Sequence, residues 1–444
     1  MATLFILFLS LCLNISLHGL SIQPLPTPLA KGKGKSISIV TGANGYVGRQ
    51  LVYSLLSRQF PTANDEHSDS IQKDGADDII ICLVRPNHIS SEKSYWNAHM
   101  NKLYSNNKNI KVMPYDMLDG GVTLYNALQW GHQYHHSTNL SSISLCLYHV
   151  ASTFGPTSDP IQTAEQNVKS AQDAVRSLTK LIHSIQCNGK TLPKVRMVLT
   201  SSMAAVRATN QTPLNGKYYT HKDWNTLSKL DCENWGSCYQ WSKAESERNA
   251  MEMVMEWNND RIDQDGVLEF VALCPSFVFG PPPPMPPTYL ENSNKSGSTS
   301  YSVELVKQWL YGKSEVQSRL CVDVRDVALA HVNAGTMNLS PELTKGTKPH
   351  CYRYILSREE RLSSALVAEA LKNAIRKVKT AAQTIDVDLS KIKCDVKFDG
   401  GAIKIGEREV EAKERLEGDL GVVCRSVEET MEDMANAILL DDVF

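Results

Sequence analysis

The chain has 444 residues, of which 42% are hydrophobic and 21% charged, with a formal net charge of −2 at pH 7. That length is enough for a large core or two domains, and the composition is that of a folded globular protein. A near-neutral balance with no basic run argues against nucleic acid as the main partner. No internal repeat and no paired CxxC spacing is present, and His135-His136 sits in a polar, loop-like stretch, so no metal is expected.

The amino terminus stands apart. "LFILFLSLCLNISL" (Leu4–Leu17) is an apolar run of signal-peptide length, short for a membrane span, and small residues offer cleavage after about Ser21. Residues 1–21 read as a signal peptide or presequence and 22–35 as a Pro-rich, basic linker, with no acidic residue before Asp65. This implies the secretory pathway, the ER lumen or an organelle reached through it. A signal-plus-transit presequence and an uncleaved anchor are the alternatives, and any membrane contact is expected through this segment alone.

From Ser36 onward short β-rich runs alternate with helical patterns, the signature of a doubly wound parallel α/β sheet. Strands are expected at 36–42, 79–84, 110–115, 145–151, 195–202 and 268–275, with helices at about 46–57 and 163–185 and another beginning near Tyr239. The strands are continuous apolar runs, as a sheet covered on both faces requires. Polar stretches at 60–78, 130–142, 208–236 and 283–300 read as insertions or long loops. Residues 36–282 are expected to form a Rossmann-type nucleotide-binding domain. Residues 283–444, with helices near 303–311, 324–335, 364–378 and 427–439 and a strand near 353–357, are expected to form a smaller substrate-binding region closing over it.

Of the eleven cysteines, Cys82, Cys146 and Cys274 lie in strand-like runs, where a thiol behaves as a small buried hydrophobe. Cys232/Cys238 and Cys351/Cys394 are close enough in pattern to bridge, but their spacing implies no pairing.

"VTGANGYVGR" places Gly42, Gly45 and Gly48 at the first strand-to-helix turn. Glycines there allow a tight turn and let backbone N–H groups approach a pyrophosphate at the helix N-terminus. The second strand ends at "LVRP", where Arg85, with Lys93 within reach, favours a 2′-phosphate and hence NADP over NAD. Asp116, after the third strand, is placed either to accept from an adenine amino group or simply to sit in a solvated turn.

Three Tyr/Lys pairs share an i, i+4 spacing: Tyr104/Lys108, Tyr218/Lys222 and Tyr239/Lys243. Only Tyr239/Lys243 opens a helical pattern, and there i and i+4 share a face. A free phenol has a pKa of about 10, and a neighbouring ammonium is expected to lower it. "VLTSS" ends the fifth strand with Ser201 and Ser202, of which period-2 alternation turns only one toward the cofactor side.

Taken together, "TGANGYVGR", "LVRP", "YHVAS", "VLTSS", "YQWSK", "CPSFVFGP", "VDVRDVALAH" and "GVVCRSVEETMEDM" resemble the extended short-chain dehydrogenase/reductase superfamily, and within it the dihydroflavonol 4-reductase/3β-hydroxysteroid dehydrogenase branch. The likeness runs in matching order over roughly residues 36–439, interrupted by the insertions above. It implies Ser202, Tyr239 and Lys243 as catalytic residues and Asn167 as support for a proton-relay water. It also implies cofactor contacts from Gly42, Asn44, Gly45, Tyr46, Val47, Gly48, Arg85, Lys93, Asp116, Met117, Val150, Ala151, Ser152, Tyr239, Lys243, Pro275 and Ser276. The activity it implies is NADP(H)-dependent interconversion of a secondary alcohol and a ketone on a small, largely apolar molecule. Alternatives are a nucleotide-sugar epimerase or dehydratase with tightly held NAD, a cinnamoyl-CoA-type reductase, and a redox-sensing or RNA-binding protein that has lost the chemistry. The expected partner is the small-molecule substrate, with the chain a monomer or homodimer.

Overall fold

The computed structural model describes residues 36–59, 78–103, 109–134, 144–189, 192–259, 261, 267–283, 300–337, 350–381, 387–394 and 407–441. The presequence and linker, the insertion at 60–77, the Tyr104/Lys108 pair, His135-His136 and the stretch 284–299 lie outside these residues.

Seven strands form one parallel sheet in the order β3-β2-β1-β4-β5-β6-β9. They are β1 (Ser36–Thr41), β2 (Ile79–Val84), β3 (Ile110–Pro114), β4 (Ser144–His149), β5 (Lys194–Thr200), β6 (Leu268–Pro275) and β9 (Cys351–Leu356). "IIICLV" of β2 is buried at every position, as expected of a β-branched run with helices on both faces. The order reverses direction between β1 and β4, and ligands of such sheets bind outside the carboxyl ends at that switch point.

On one face pack α1 (Tyr46–Gln59) and α8 (Val324–Thr336), burying Leu51, Leu55, Val327 and Ala330 against the sheet. On the other pack α3 (Val122–Tyr134), α4 (Pro160–Cys187) and α6 (Trp235–Asn259), burying Leu128, Ala174, Leu178 and Val254. Helix α4 is started by Asp159, whose side chain accepts from Gln162 N, and by Pro160 at its first position. A third core, around Trp309, Leu371, Ile375 and Met431, joins α7 (Tyr301–Leu310), α9 (Ser364–Ala381) and α11 (Val427–Asp441). A short parallel pair, β7 (Phe277–Phe279) and β8 (Cys321–Asp323), leads into it.

Several boundaries differ from the sequence expectation, each for a local reason. β4 stops at His149 because the N–H groups of Val150 and Ala151 turn to the Thr41 hydroxyl, at 3.0 Å each. β5 stops at Thr200 because Ser202 caps the short helix α5 (Met203–Val206), its Oγ accepting from Ala204 N at 3.1 Å. Helix α6 begins at Trp235, so Tyr239 lies in its second turn rather than at its start. Trp130–Tyr134, expected in a loop, complete α3. Helix α2 (Ile89–Leu103) was not expected; its Glu92 is buried against Arg49 of α1 at 2.7 Å, so a charged residue occupies a core position. Nor is 283 a clean division: residues beyond it supply β9 to the sheet and α8 to its covering layer. Cys232, Cys238, Cys351 and Cys394 are free thiols.

His331 of α8 is fully buried, with Nδ1 on the Val327 carbonyl and Nε2 on Thr200 Oγ1, both at 2.7 Å, and burial holds its pKa down at about 4. The unfolded chain takes up that proton near the ordinary histidine value of about 6.5, whereas the fold refuses it until near 4, so stability is lost as pH falls through that window. Thermal unfolding at constant ionic strength should show a melting temperature falling below about pH 6.5, and His331→Gln should flatten that slope.

Candidate active site

The turn between β1 and α1 is built for close approach. Gly42 has φ +65°, and a Cβ on it would lie 3.1 Å from Ala151 Cα at the end of β4. Gly48 packs so tightly under the turn that a Cβ would sit 2.1 Å from the Gly42 carbonyl oxygen, which itself accepts from Gly45 N at 2.9 Å. The result is an exposed Gly45 at the mouth of a helix N-terminus, a seat for an anion. Val47 packs into the sheet core. Tyr46 faces the other way, donating its hydroxyl to the Gly280 carbonyl at 2.6 Å and packing on the carboxy-terminal core.

Around this seat the other expected cofactor residues gather unevenly. Arg85 and Lys93 are both exposed, at the end of β2 and near the start of α2. Asp116 is exposed, with Oδ1 accepting from Leu118 N at 2.9 Å, and Met117 packs on the sheet core. Asn44, Val150, Ala151 and Ser152 are half-buried along the β1/β4 switch point, and Pro275 ends β6. The Oγ atoms of Ser152 and Ser276 are buried with no hydrogen-bond partner among the described residues. Leaving a buried hydroxyl unpaired costs about 1–3 kcal/mol, so two such atoms along this line mark where a polar ligand completes the site. The Cβ-free cradle and these two hydroxyls fit a dinucleotide.

Beneath the switch point a small cavity, open in part to solvent, is lined by His149, Ser152, Asn167, Thr200 and Lys243 among others. His149 bridges Thr41 Oγ1 at 3.2 Å and Ser170 Oγ at 3.3 Å; burial, then the charge of Lys243, hold its pKa down at about 3, so it is a neutral ring. Asn167 lines that cavity, and its Oδ1 accepts from Thr153 N at 2.9 Å while its Nδ2 donates to the Thr153 carbonyl at 3.0 Å, so the amide also clamps the loop after β4.

Ser202, Tyr239 and Lys243 do come together. Ser202 lies beside the Tyr239 phenol. Lys243 Nζ lies 5.9 Å from the Tyr239 ring centroid and donates to the Thr200 carbonyl at 3.0 Å. The expected electrostatics need correction. Burial pushes Tyr239 up to about 12, with Ser202 the opposing influence, so no lowering by the ammonium is seen at rest. Burial instead brings Lys243 down to about 8, against the upward pull of Cys274 and Glu247. Tyr218 sits half-buried on a loop, with the Arg408 guanidinium 4.6 Å from its ring.

Several residues of the site were not anticipated. Phe154 meets the Tyr239 ring edge-on at 4.6 Å and also touches Trp235 at 5.6 Å and Tyr301 at 5.3 Å, with Phe277 6.2 Å beyond Tyr301. Phe154 is 43% and Tyr301 37% exposed, so an apolar wall opens to solvent beside the phenol. Phe154 follows the "VAS" segment and Trp235 precedes Tyr239 by one helical turn, the only local signals that mark them.

A model of the 3-beta hydroxysteroid dehydrogenase/isomerase family matches residues 163–354, a span holding Ser202, Tyr239, Lys243 and the first residues of β9. Over that span the chain is similar to the extended short-chain dehydrogenases/reductases. Cinnamoyl-CoA reductase 1 of Arabidopsis thaliana is 27% identical over 316 residues, 69% of each chain. An uncharacterized oxidoreductase of Schizosaccharomyces pombe is 33% identical over 144 residues; the match spans 31% of this chain and 39% of that relative's length. Among solved structures, yeast methylglyoxal/isovaleraldehyde reductase Gre2 complexed with NADPH superposes with a TM-score of 0.62 at 21% identity, covering 92% of this chain and 99% of that one. MoeE5 in complex with UDP-glucuronic acid and NAD gives 0.50 at 14%, covering 92% and 99%. These structural likenesses carry the fold of the extended dehydrogenases/reductases across nearly the whole chain.

The packing under the turn is testable. Gly48→Ala should weaken NADPH binding by at least about ten-fold, equivalent to roughly 1.4 kcal/mol. Gly418→Ala, where a Cβ meets nothing within 4 Å, should leave it unchanged in the same calorimetric titration.

Proposed function

We propose that this extended dehydrogenase/reductase is an NADP(H)-dependent oxidoreductase that interconverts a secondary alcohol and a ketone on a small, largely apolar molecule. The observation that carries the reading is the gathering of Ser202, Tyr239 and Lys243 at one place, with Lys243 Nζ 5.9 Å from the Tyr239 ring and held on the Thr200 carbonyl at 3.0 Å. Bound NADPH would supply the hydride. The residues of the glycine turn would hold its pyrophosphate, Ser152 and Ser276 would meet its nicotinamide end, and Arg85 with Lys93 would favour a 2′-phosphate.

The chain's own groups suit reduction. A phenol held near 12 is neutral at pH 7 and keeps its proton until a stronger base appears. The oxygen of a carbonyl being reduced becomes such a base, and Tyr239 donates to it while Ser202 holds it in place. Lys243, still largely protonated at neutral pH, steadies the phenolate as it forms. The solvent-facing wall of Phe154, Trp235 and Tyr301 offers an apolar, ring-bearing substrate a surface to pack on beside the phenol. The small-molecule substrate is the only partner this reading requires, and the amino-terminal segment supports a secretory-route destination.

A second reading, reduction of an acyl-CoA thioester to an aldehyde, is favoured by the match to cinnamoyl-CoA reductase 1. A panel of ketones and cinnamoyl-CoA, followed by NADPH absorbance, separates the two.

Tyr239→Phe should lose about 10²–10⁴-fold in turnover while still binding NADPH, and Tyr218→Phe should stay near wild type; the reverse pattern sinks the assignment. Phe154→Ala should raise KM for an apolar aromatic carbonyl several-fold, up to about ten-fold, with little change in kcat, as expected for loss of one aromatic contact.

A further inference from the structure

We propose that Glu247, paired with Arg353, is a positioning residue for the Ser202–Tyr239–Lys243 group, fixing the strand end that carries the serine and keeping the lysine charged. The proposal rests on the oxidoreductase reading above.

Glu247 lies four residues beyond Lys243, one turn further along the same face of α6, and is completely buried. Its Oε2 accepts from the Ser201 hydroxyl at 2.5 Å and from the Cys274 thiol at 3.4 Å, and its Oε1 accepts from Arg353 Nε. The rest of the Arg353 guanidinium is equally committed: it donates to the carbonyls of His221 at 2.9 Å, Ala205 at 3.1 Å and Asp223, and lies 3.9 Å from the Trp224 ring centroid. A buried pair of this kind is seldom worth more to stability than apolar side chains of the same volume. Its geometry serves the site instead.

Ser201 and Ser202 are neighbours that meet the same face of α6 about two turns apart, Ser201 at Glu247 and Ser202 beside Tyr239. Anchoring Ser201 to Glu247 fixes the strand end and with it the place of Ser202. The carboxylate also acts on Lys243 one turn away on the same helix, pulling its pKa upward after Cys274. The groups facing that ammonium are Tyr239 and Glu247 from α6, Cys274 from β6, His149 from β4 and the Thr200 carbonyl from β5, with Arg353 of β9 behind Glu247. His149 is neutral, Tyr239 is a phenol at rest and the Cys274 thiol is pushed up by burial and keeps its proton, so Glu247 is the one negative charge of this set and, with the Thr200 carbonyl, favours the charged lysine at neutral pH.

The test uses the full chain labelled with [13Cε]lysine, with Lys243→Ala assigning the resonance, and compares wild type, Glu247→Gln, Ser201→Ala and the double apolar variant Glu247→Leu/Arg353→Met. The Lys243 titration midpoint should move to lower pH in Glu247→Gln, and by less but in the same direction in the double variant. The alkaline limb of kcat against pH should follow it, costing several-fold in rate at pH 8 relative to pH 6. Ser201→Ala should lower kcat without moving the limb. The double variant answers for the case in which Glu247→Gln does not fold, because it leaves no buried charge unpaired. A folded double variant with the wild-type midpoint and wild-type kcat overturns the proposal. The NMR titration needs no substrate, so failure of the oxidoreductase reading would show as missing turnover with the midpoint still displaced.

Discussion

A carboxylate with no exposure to water sits in the middle of α6, and much of the architecture can be read as the set of conditions that allow it there. An unpaired charge in that position would cost several kcal/mol. Arg353 must therefore lie beside it, and Arg353 belongs to β9, so the carboxy-terminal part of the chain has to enter the sheet rather than merely cover it. The same guanidinium gathers the carbonyls at 205, 221 and 223, so the polar stretch after α5 is held in place without secondary structure of its own. One buried pair thus joins the catalytic helix, the last strand and the long loop before Tyr239.

Hydroxyl groups do a related job at the sheet's carboxyl edge. The Thr41 side chain draws the backbone of Val150 and Ala151 away from β4, and the Ser202 side chain starts α5 where β5 would otherwise continue. Both ends open the crevice at the switch point, between strands that are otherwise in continuous register. The electrostatics within that crevice are set by desolvation more than by pairwise attraction. Burial keeps the phenol neutral and both His149 and His331 uncharged, and it brings the lysine down to about 8, still largely charged at neutral pH. Such a site is poised to donate a proton.

The strands, the glycine turn and the Ser202–Tyr239–Lys243 group were legible in the sequence because each is a local pattern: an apolar run, a fixed glycine spacing, a helical i, i+4 pair. What was missed is long-range or disguised. Glu247 and Arg353 are 106 residues apart, and neither carries a local mark of its partner. Helix α2 was hidden because its buried face includes Glu92, which reads as surface until Arg49 is placed against it. The aromatic wall is assembled from the loop after β4, α6, β7 and α7, so no window of sequence contains it. The phenol's upward shift was misjudged because spacing reports a neighbouring charge but not the loss of water around the ring.

The position of β9 also bears on how the chain is made. Its neighbour in the sheet, β6, is complete at residue 275, whereas β9 begins at residue 351. At a synthesis rate of about 5–20 residues per second, Glu247 leaves the ribosome roughly 5–20 s before Arg353 exists to meet it. For that interval β6 has an unpaired edge and α6 carries a carboxylate with no counter-charge, so the nascent sheet is both open to wrong pairing and short of its last stabilising contact. The seven-stranded sheet is therefore complete only once residue 356 has been made, and its final step is the insertion of a strand rather than the docking of a separate lobe.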